Sequence, residues 1–160
     1  MNVAPTPRPW VVLAGFILAA FAAGTIGSWA TFPAVREWFP LLAKPAWNPP
    51  GWLFGPVWTT LYVLMGVAIW RAWRTRAVAT PALVKLYFVQ LAFNALWSVL
   101  FFGLKQPAWA LAEIAVLWGL LVWLQRGLWR ADRLAAVLWL PYVLWVGFAA
   151  ALNLAIVRLN

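Results

Sequence analysis

Five long apolar runs, divided by short polar breaks, set the pattern of this chain. They cover about Pro9–Thr31, Gly51–Trp73, Ala82–Leu104, Pro107–Trp129 and Leu134–Val157. Each comes near the ~20 residues with which an α-helix crosses the hydrocarbon core of a bilayer. Five strands would not close a bacterial barrel, whose strand number is even, so helices are the conformation that satisfies the backbone in lipid. The breaks have physical causes. Thr80-Pro81 opens the third run and Gln106-Pro107 the fourth, since proline fits a first helical turn. The charge-rich stretch Arg126–Arg133 separates the fourth from the fifth. The pattern predicts an all-α fold: one domain over residues 1–160, an integral membrane bundle of five transmembrane helices.

Two features qualify the first and last runs. Arg8, the apolar stretch and Ser28-Trp-Ala30 also resemble a signal peptide with a small-residue cleavage site, although the run exceeds the usual 7–15 apolar residues. Gly15, Ala19, Ala23 and Gly27 stand four apart, which puts small residues on one helix stripe where another backbone can come close, inside the bundle or in a second protomer. In the fifth run Pro141 cannot donate back to Val137, so a kink is expected there.

Composition agrees with the membrane reading: 66% of residues are hydrophobic, 9% are charged, and mean hydropathy is +0.86. The chain has no Cys and no His, which removes thiolate chemistry, disulfides and the commonest metal ligand and general base. Its +9 charge lies in scattered cations between apolar runs, a poor track for phosphates, so nucleic acid is not an expected partner. The cations read better as topology determinants. Arg8, Arg71, Arg74, Arg76, Lys85, Arg126, Arg130 and Arg133 fall on one side and Arg36, Lys44, Lys105 and Arg158 on the other. That bias puts the amino terminus inside and the carboxyl terminus outside, and leaves inner versus outer membrane undetermined.

Before the second run comes Lys44-Pro-Ala-Trp-Asn-Pro-Pro-Gly-Trp-Leu-Phe-Gly-Pro-Val-Trp58. Pro45, Pro49, Pro50 and Pro56 bias it away from helix, and Trp47, Trp52 and Trp58 surround the entrance to the run. This reads as a stiff aromatic lid over a pocket, or as an interfacial tryptophan belt. Polar groups gather beneath it. Gln90, Asn94 and Trp97 share a face of the third run, Trp145, Ala149 and Asn153 a face of the fifth, and Glu113 enters the fourth near the same end. A rise of 1.5 Å per residue puts Trp58 about 10 Å and Asn94 about 15 Å below that end. The amides either glue helices together or meet a ligand, and Lys105 or Arg158 stands near enough to neutralise Glu113. Indole walls suit a flat, polarizable molecule, and with Met1 and Met65 the only methionines, haem iron has few axial ligands. A metal-free tetrapyrrole or sterol-like lipid fits better, with no metal and no cofactor required.

Several segments together resemble the TspO/MBR family of tryptophan-rich sensory proteins and translocator proteins. They are Lys44-Pro-Ala-Trp-Asn-Pro-Pro, Phe54-Gly-Pro-Val-Trp58-Thr-Thr-Leu-Tyr62 with Met65-Gly66, Gln90-Leu-Ala-Phe-Asn94-Ala-Leu-Trp97, Phe101-Phe-Gly103, Trp109-Ala-Leu, and Pro141-Tyr-Val-Leu-Trp145 running to Asn153. The resemblance implies a five-helix bundle that retains its first helix, commonly a homodimer, binding porphyrins, sterol-like lipids and benzodiazepine-type drugs. It implies that Trp58, Asn94, Trp97, Trp145 and Ala149 line the cavity, to which Trp47, Tyr62, Gln90, Glu113 and Asn153 are added as candidate ligand contacts. Two departures stand out. Leu154 occupies the place of an aromatic residue in the family's sterol-recognition pattern, and Glu113 stands where relatives often carry Asp. The expected function is a membrane receptor or carrier for porphyrins and related apolar ligands. The alternatives are a light-dependent porphyrin-degrading enzyme, with Trp58 and Trp145 as electron donors, and a ligand-regulated membrane scaffold. The chain offers no acid–base or nucleophile set that would favour the enzyme.

Overall fold

The computed structural model of the protein describes residues 8–160; Met1 and the rest of the first seven residues of the expected domain lie outside it. Five helices are long and apolar enough to cross a membrane. They are α1 (Pro9–Glu37), α2 (Gly51–Thr75), α3 (Thr80–Ser98, continued by a π-helical turn over Val99–Gly103), α4 (Pro107–Ala131) and α5 (Arg133–Leu159). This is a multi-pass integral membrane protein. Most helix ends reach past the apolar runs or coincide with them; the exception is the far end of α3, whose π-helical continuation stops at Gly103, one residue short of Leu104. α1 runs on to Glu37, not Thr31, because a helix need not stop where the hydrocarbon does and Ala34 still packs inside. Pro56 rides inside the second turn of α2, and Pro141 is carried within α5 without ending it.

Local chemistry sets the ends. Arg76 closes α2 in the left-handed conformation, φ 50°. Pro81 and Pro107 occupy the first turns of α3 and α4, where a missing N–H costs nothing. Asp132 caps α5: its Oδ1 accepts from the N–H groups of Leu134 at 2.8 Å and Ala135 at 3.1 Å, while Oδ2 meets Arg71 at 2.9 Å. Burial alone would raise the Asp132 pKa, but the Ala135 N–H, Arg71 and the Leu134 N–H outweigh it and hold the carboxyl below its ordinary value.

Around the bundle the neighbour order is α1, α2, α5, α4, α3 and back to α1. Lipid tails are as apolar as leucine, so close packing and interhelical hydrogen bonds hold such a bundle together rather than escape from water. Small residues provide the approach. A Cβ on Gly66 would stand 3.0 Å from the Ile17 backbone, and one on Gly27 2.9 Å from the Ser98 hydroxyl. Ala23 and Gly27, from the small-residue stripe of α1, are buried inside the bundle, and Ala19 packs on its core; Gly15 is exposed. Ala19, Ala23 and Gly27 of the stripe therefore serve contacts within the chain, and α1 is an integral wall of the bundle. The main core, with Met65, Ile69, Leu117, Leu121, Leu124 and Trp139 fully buried, fills the bundle's middle and its α2–α3 end. A smaller cluster of Phe101, Ala110, Leu152 and Ile156 fills the end under the first loop.

Candidate ligand cavity

The first loop is held shut by main-chain capping. After α1 the chain makes a short 3₁₀ turn, Phe39–Leu41, and the Lys44 ammonium donates to two of its carbonyls and to the next one: Phe39 O at 2.8 Å, Pro40 O at 3.3 Å and Leu42 O at 2.7 Å. Asn160, at the end of α5, grips Ala43 twice, its Oδ1 accepting the Ala43 N–H and its Nδ2 donating to Ala43 O, both at 3.0 Å. The three loop tryptophans part company below this clamp. Trp52 is exposed, as in a belt. Trp47 is half exposed and sets an edge against Phe148, 5.6 Å between centroids. Trp58 turns inward onto Tyr62 at 5.4 Å and Tyr142 at 6.2 Å.

At the loop end of α3 the helix widens. Leu104 donates to Val99 O at 2.8 Å and Gln106 to Leu100 O at 3.0 Å, spans of five and six residues instead of four. Widened turns of this kind recur at functional sites. Here the turn lets consecutive Phe101 and Phe102 both reach one cavity of about 40 Å³. Trp97, stacked on Phe101 at 5.1 Å, lines it from α3. Trp145, Phe148, Ala149, Leu152, Asn153 and Ile156 line it from α5, with Phe39 and Phe54 above. This volume has room for roughly two or three waters, far short of the 300–1,000 Å³ of a ligand pocket.

Beneath lies a polar network between helices. Tyr142 Oη donates to Gln90 Oε1 at 2.9 Å and accepts from Asn94 Nδ2 at 3.1 Å, tying α5 to α3. Asn153 Oδ1 accepts from the Trp97 indole at 3.2 Å, and its Nδ2 donates to Pro107 O at 2.9 Å, joining three helices. Glu113 is buried, and neither of its oxygens has a hydrogen-bond partner. Lys105 and Arg158 do not neutralise it; both are exposed, and Arg71–Asp132 is the one ion pair among the described residues.

The TspO/MBR family model matches residues 16–159. The chain belongs to the TspO/MBR family. It is 40% identical over 148 residues to the tryptophan-rich protein TspO of Archaeoglobus fulgidus, covering 92% of this chain and 96% of that protein. Similar matches are the tryptophan-rich sensory protein of Cereibacter sphaeroides, 37% identical with 94% and 92% covered, and the human translocator protein, 36% identical with 95% and 92% covered.

For this TspO/MBR protein, four of the ten residues singled out in the sequence line the cavity: Trp97, Trp145, Ala149 and Asn153. Trp47 lies against the lining residue Phe148. Trp58, Tyr62, Gln90 and Asn94 form the aromatic and amide layer around Tyr142, and Glu113 is buried on α4; none of these five lines the cavity. Sequence reasoning missed Tyr142 as the hub of the amides, although it precedes Trp145 by three residues on the same helix face. It also missed the phenylalanines. Phe101 follows Trp97 by four and Phe148 follows Trp145 by three, the spacing that would have found them. Leu154 is on the outer surface, in a shallow groove with Pro45 and Arg158, away from the aromatic cavity.

Proposed function

We propose that this TspO/MBR protein is a membrane receptor or carrier for flat apolar ligands, porphyrin-type tetrapyrroles first and sterol-like molecules second. The site is the aromatic cavity under the first loop. One observation carries the reading: indole and phenyl groups from α2, α3, α5 and the loop converge on a single space, with Asn153 its one polar side chain. Aromatic side chains bind planar rings by stacking and burial, and a few placed polar groups set orientation. The closed volume and the clamped loop fit a resting state that opens for its ligand. A homodimer belongs to the proposal on the family likeness alone, since the buried part of the α1 stripe serves contacts inside the bundle.

The test is titration of detergent-solubilised protein with protoporphyrin in the dark, followed by tryptophan quenching. Saturable quenching, with affinity falling roughly threefold to tenfold in Trp145→Leu, is the expected result; that range follows from the stacking contribution of an aromatic pair. Linear, unsaturable quenching in the wild type would remove the receptor reading.

A further inference from the structure

Glu113 is only 8% exposed, and neither carboxylate oxygen meets a donor from the protein. An unpaired buried carboxyl in a membrane span is costly, and such groups ordinarily find a partner. Its place in the bundle says what partner is missing. Two hydrogen bonds fix the register of antiparallel α4 and α5: Asn153 Nδ2 to Pro107 O at 2.9 Å, and the Trp118 indole to Val143 O at 3.1 Å. Between these pins Phe148, a lining residue, falls about level with Glu113. One turn away on the same face of α4, Ala110 packs with Phe101, Leu152 and Ile156 around the cavity, while Ile114 and Leu117 belong to the main core. Glu113 thus stands just beneath the lining of the aromatic cavity, at the depth where the cavity gives way to the core.

Resting on the ligand reading given above, we infer that Glu113 is the cavity's polar anchor, accepting a hydrogen bond from an N–H or protonated amine on a flat aromatic ligand. The protein supplies stacking walls and one strong acceptor, and the ligand supplies the donor that the protein leaves out. When the aromatic side chains part, the nitrogen of the ligand reaches the floor and its rings lie between Trp97 and Trp145. Flat hydrocarbons of the same size fill the walls equally well and leave Glu113 unpaired, so the residue selects nitrogen over carbon.

The experiment compares binding of 9-aminoacridine and 9-methylanthracene, read by their own fluorescence, to detergent-solubilised wild type, Glu113→Gln and Glu113→Asp. Glu113→Gln should weaken 9-aminoacridine at least tenfold and leave 9-methylanthracene unchanged, with Glu113→Asp in between. In the wild type, 9-aminoacridine should also shift the infrared carboxyl band that Glu113→Gln removes, a readout that does not need a folded variant. Equal losses for both probes, or no loss for either with the infrared band unmoved, would overturn the anchor. If neither probe nor protoporphyrin binds the wild type saturably, the ligand reading itself falls.

Discussion

Tyr142→Phe tests whether buried hydrogen bonds hold the polar layer of the bundle. Phenylalanine keeps the ring contacts to Trp58 and Trp139, at 6.2 and 5.4 Å between centroids, and removes only the hydroxyl. Two bonds go with it, leaving Gln90 Oε1 and Asn94 Nδ2 without a partner in a layer where Gln90 Nε2 already lacks one. In a water-soluble core, each orphaned group would cost about 1–3 kcal/mol. In a membrane, the unfolded reference also finds partners, and interhelical bonds measure about 0.6 kcal/mol on average and about 1.7 at most. The membrane figure governs here, so the expected loss is about 1–3 kcal/mol for the pair of bonds. The assay is equilibrium unfolding in mixed micelles of increasing dodecyl sulfate, followed by far-ultraviolet circular dichroism. A double-mutant cycle with Gln90→Leu should give a coupling of about 0.6–1.7 kcal/mol. A Tyr142→Phe protein within about 0.3 kcal/mol of wild type, with no coupling beyond the additivity error, would refute the network as a source of stability.

Three further outcomes follow from the geometry. Gly66→Ala sets a methyl group against the Ile17 backbone and should cost about 1–3 kcal/mol in the same unfolding assay, the usual penalty of overpacking; an unchanged midpoint would mean that α1 and α2 are not in close contact. Because the Asp132 pKa is lowered in the folded state, its contribution is present above the unfolded value of about 3.9 and is lost as pH falls through the lower folded value. The stability advantage of wild type over Asp132→Asn should therefore be constant above about pH 5 and shrink below about pH 4; an advantage that grows on acidification contradicts the assignment. Asn160→Ala removes both side-chain bonds to Ala43 and should speed hydrogen exchange at the Ala43 amide by about tenfold, read by mass spectrometry, while the α4 core is unaffected.

The bundle was legible because a bilayer imposes length and polarity on each span; all five helices and the prolines that open α3 and α4 were readable from the apolar runs. Their ends were not, since the caps at Arg76 and Asp132 depend on left-handed backbone and on a distant Arg71, neither of which has a period. Four lining residues of the cavity were readable at helical spacing, Trp97 on α3 and Trp145, Ala149 and Asn153 on α5. The rest depends on facts with no local signature. The π-helical turn brings two consecutive phenylalanines to one space, and Tyr142 takes up the side chains of Gln90 and Asn94, which the sequence left open between helix glue and ligand contact. Lys105 and Arg158, expected at the same end of the bundle as Glu113, are exposed and form no ion pair with it, which residue order does not reveal.

The chain has no cysteine, so a single thiol can report on the cavity directly. In Ala149→Cys the thiol would lie in the lining, and in Leu144→Cys it would lie on the exposed face of the same helix. The rate of modification by a small methanethiosulfonate reagent, measured with rising protoporphyrin, places the ligand. Ligand in the cavity predicts saturable protection at position 149 and none at position 144. Saturable porphyrin binding with both rates unchanged would put the ligand elsewhere and contradict the account.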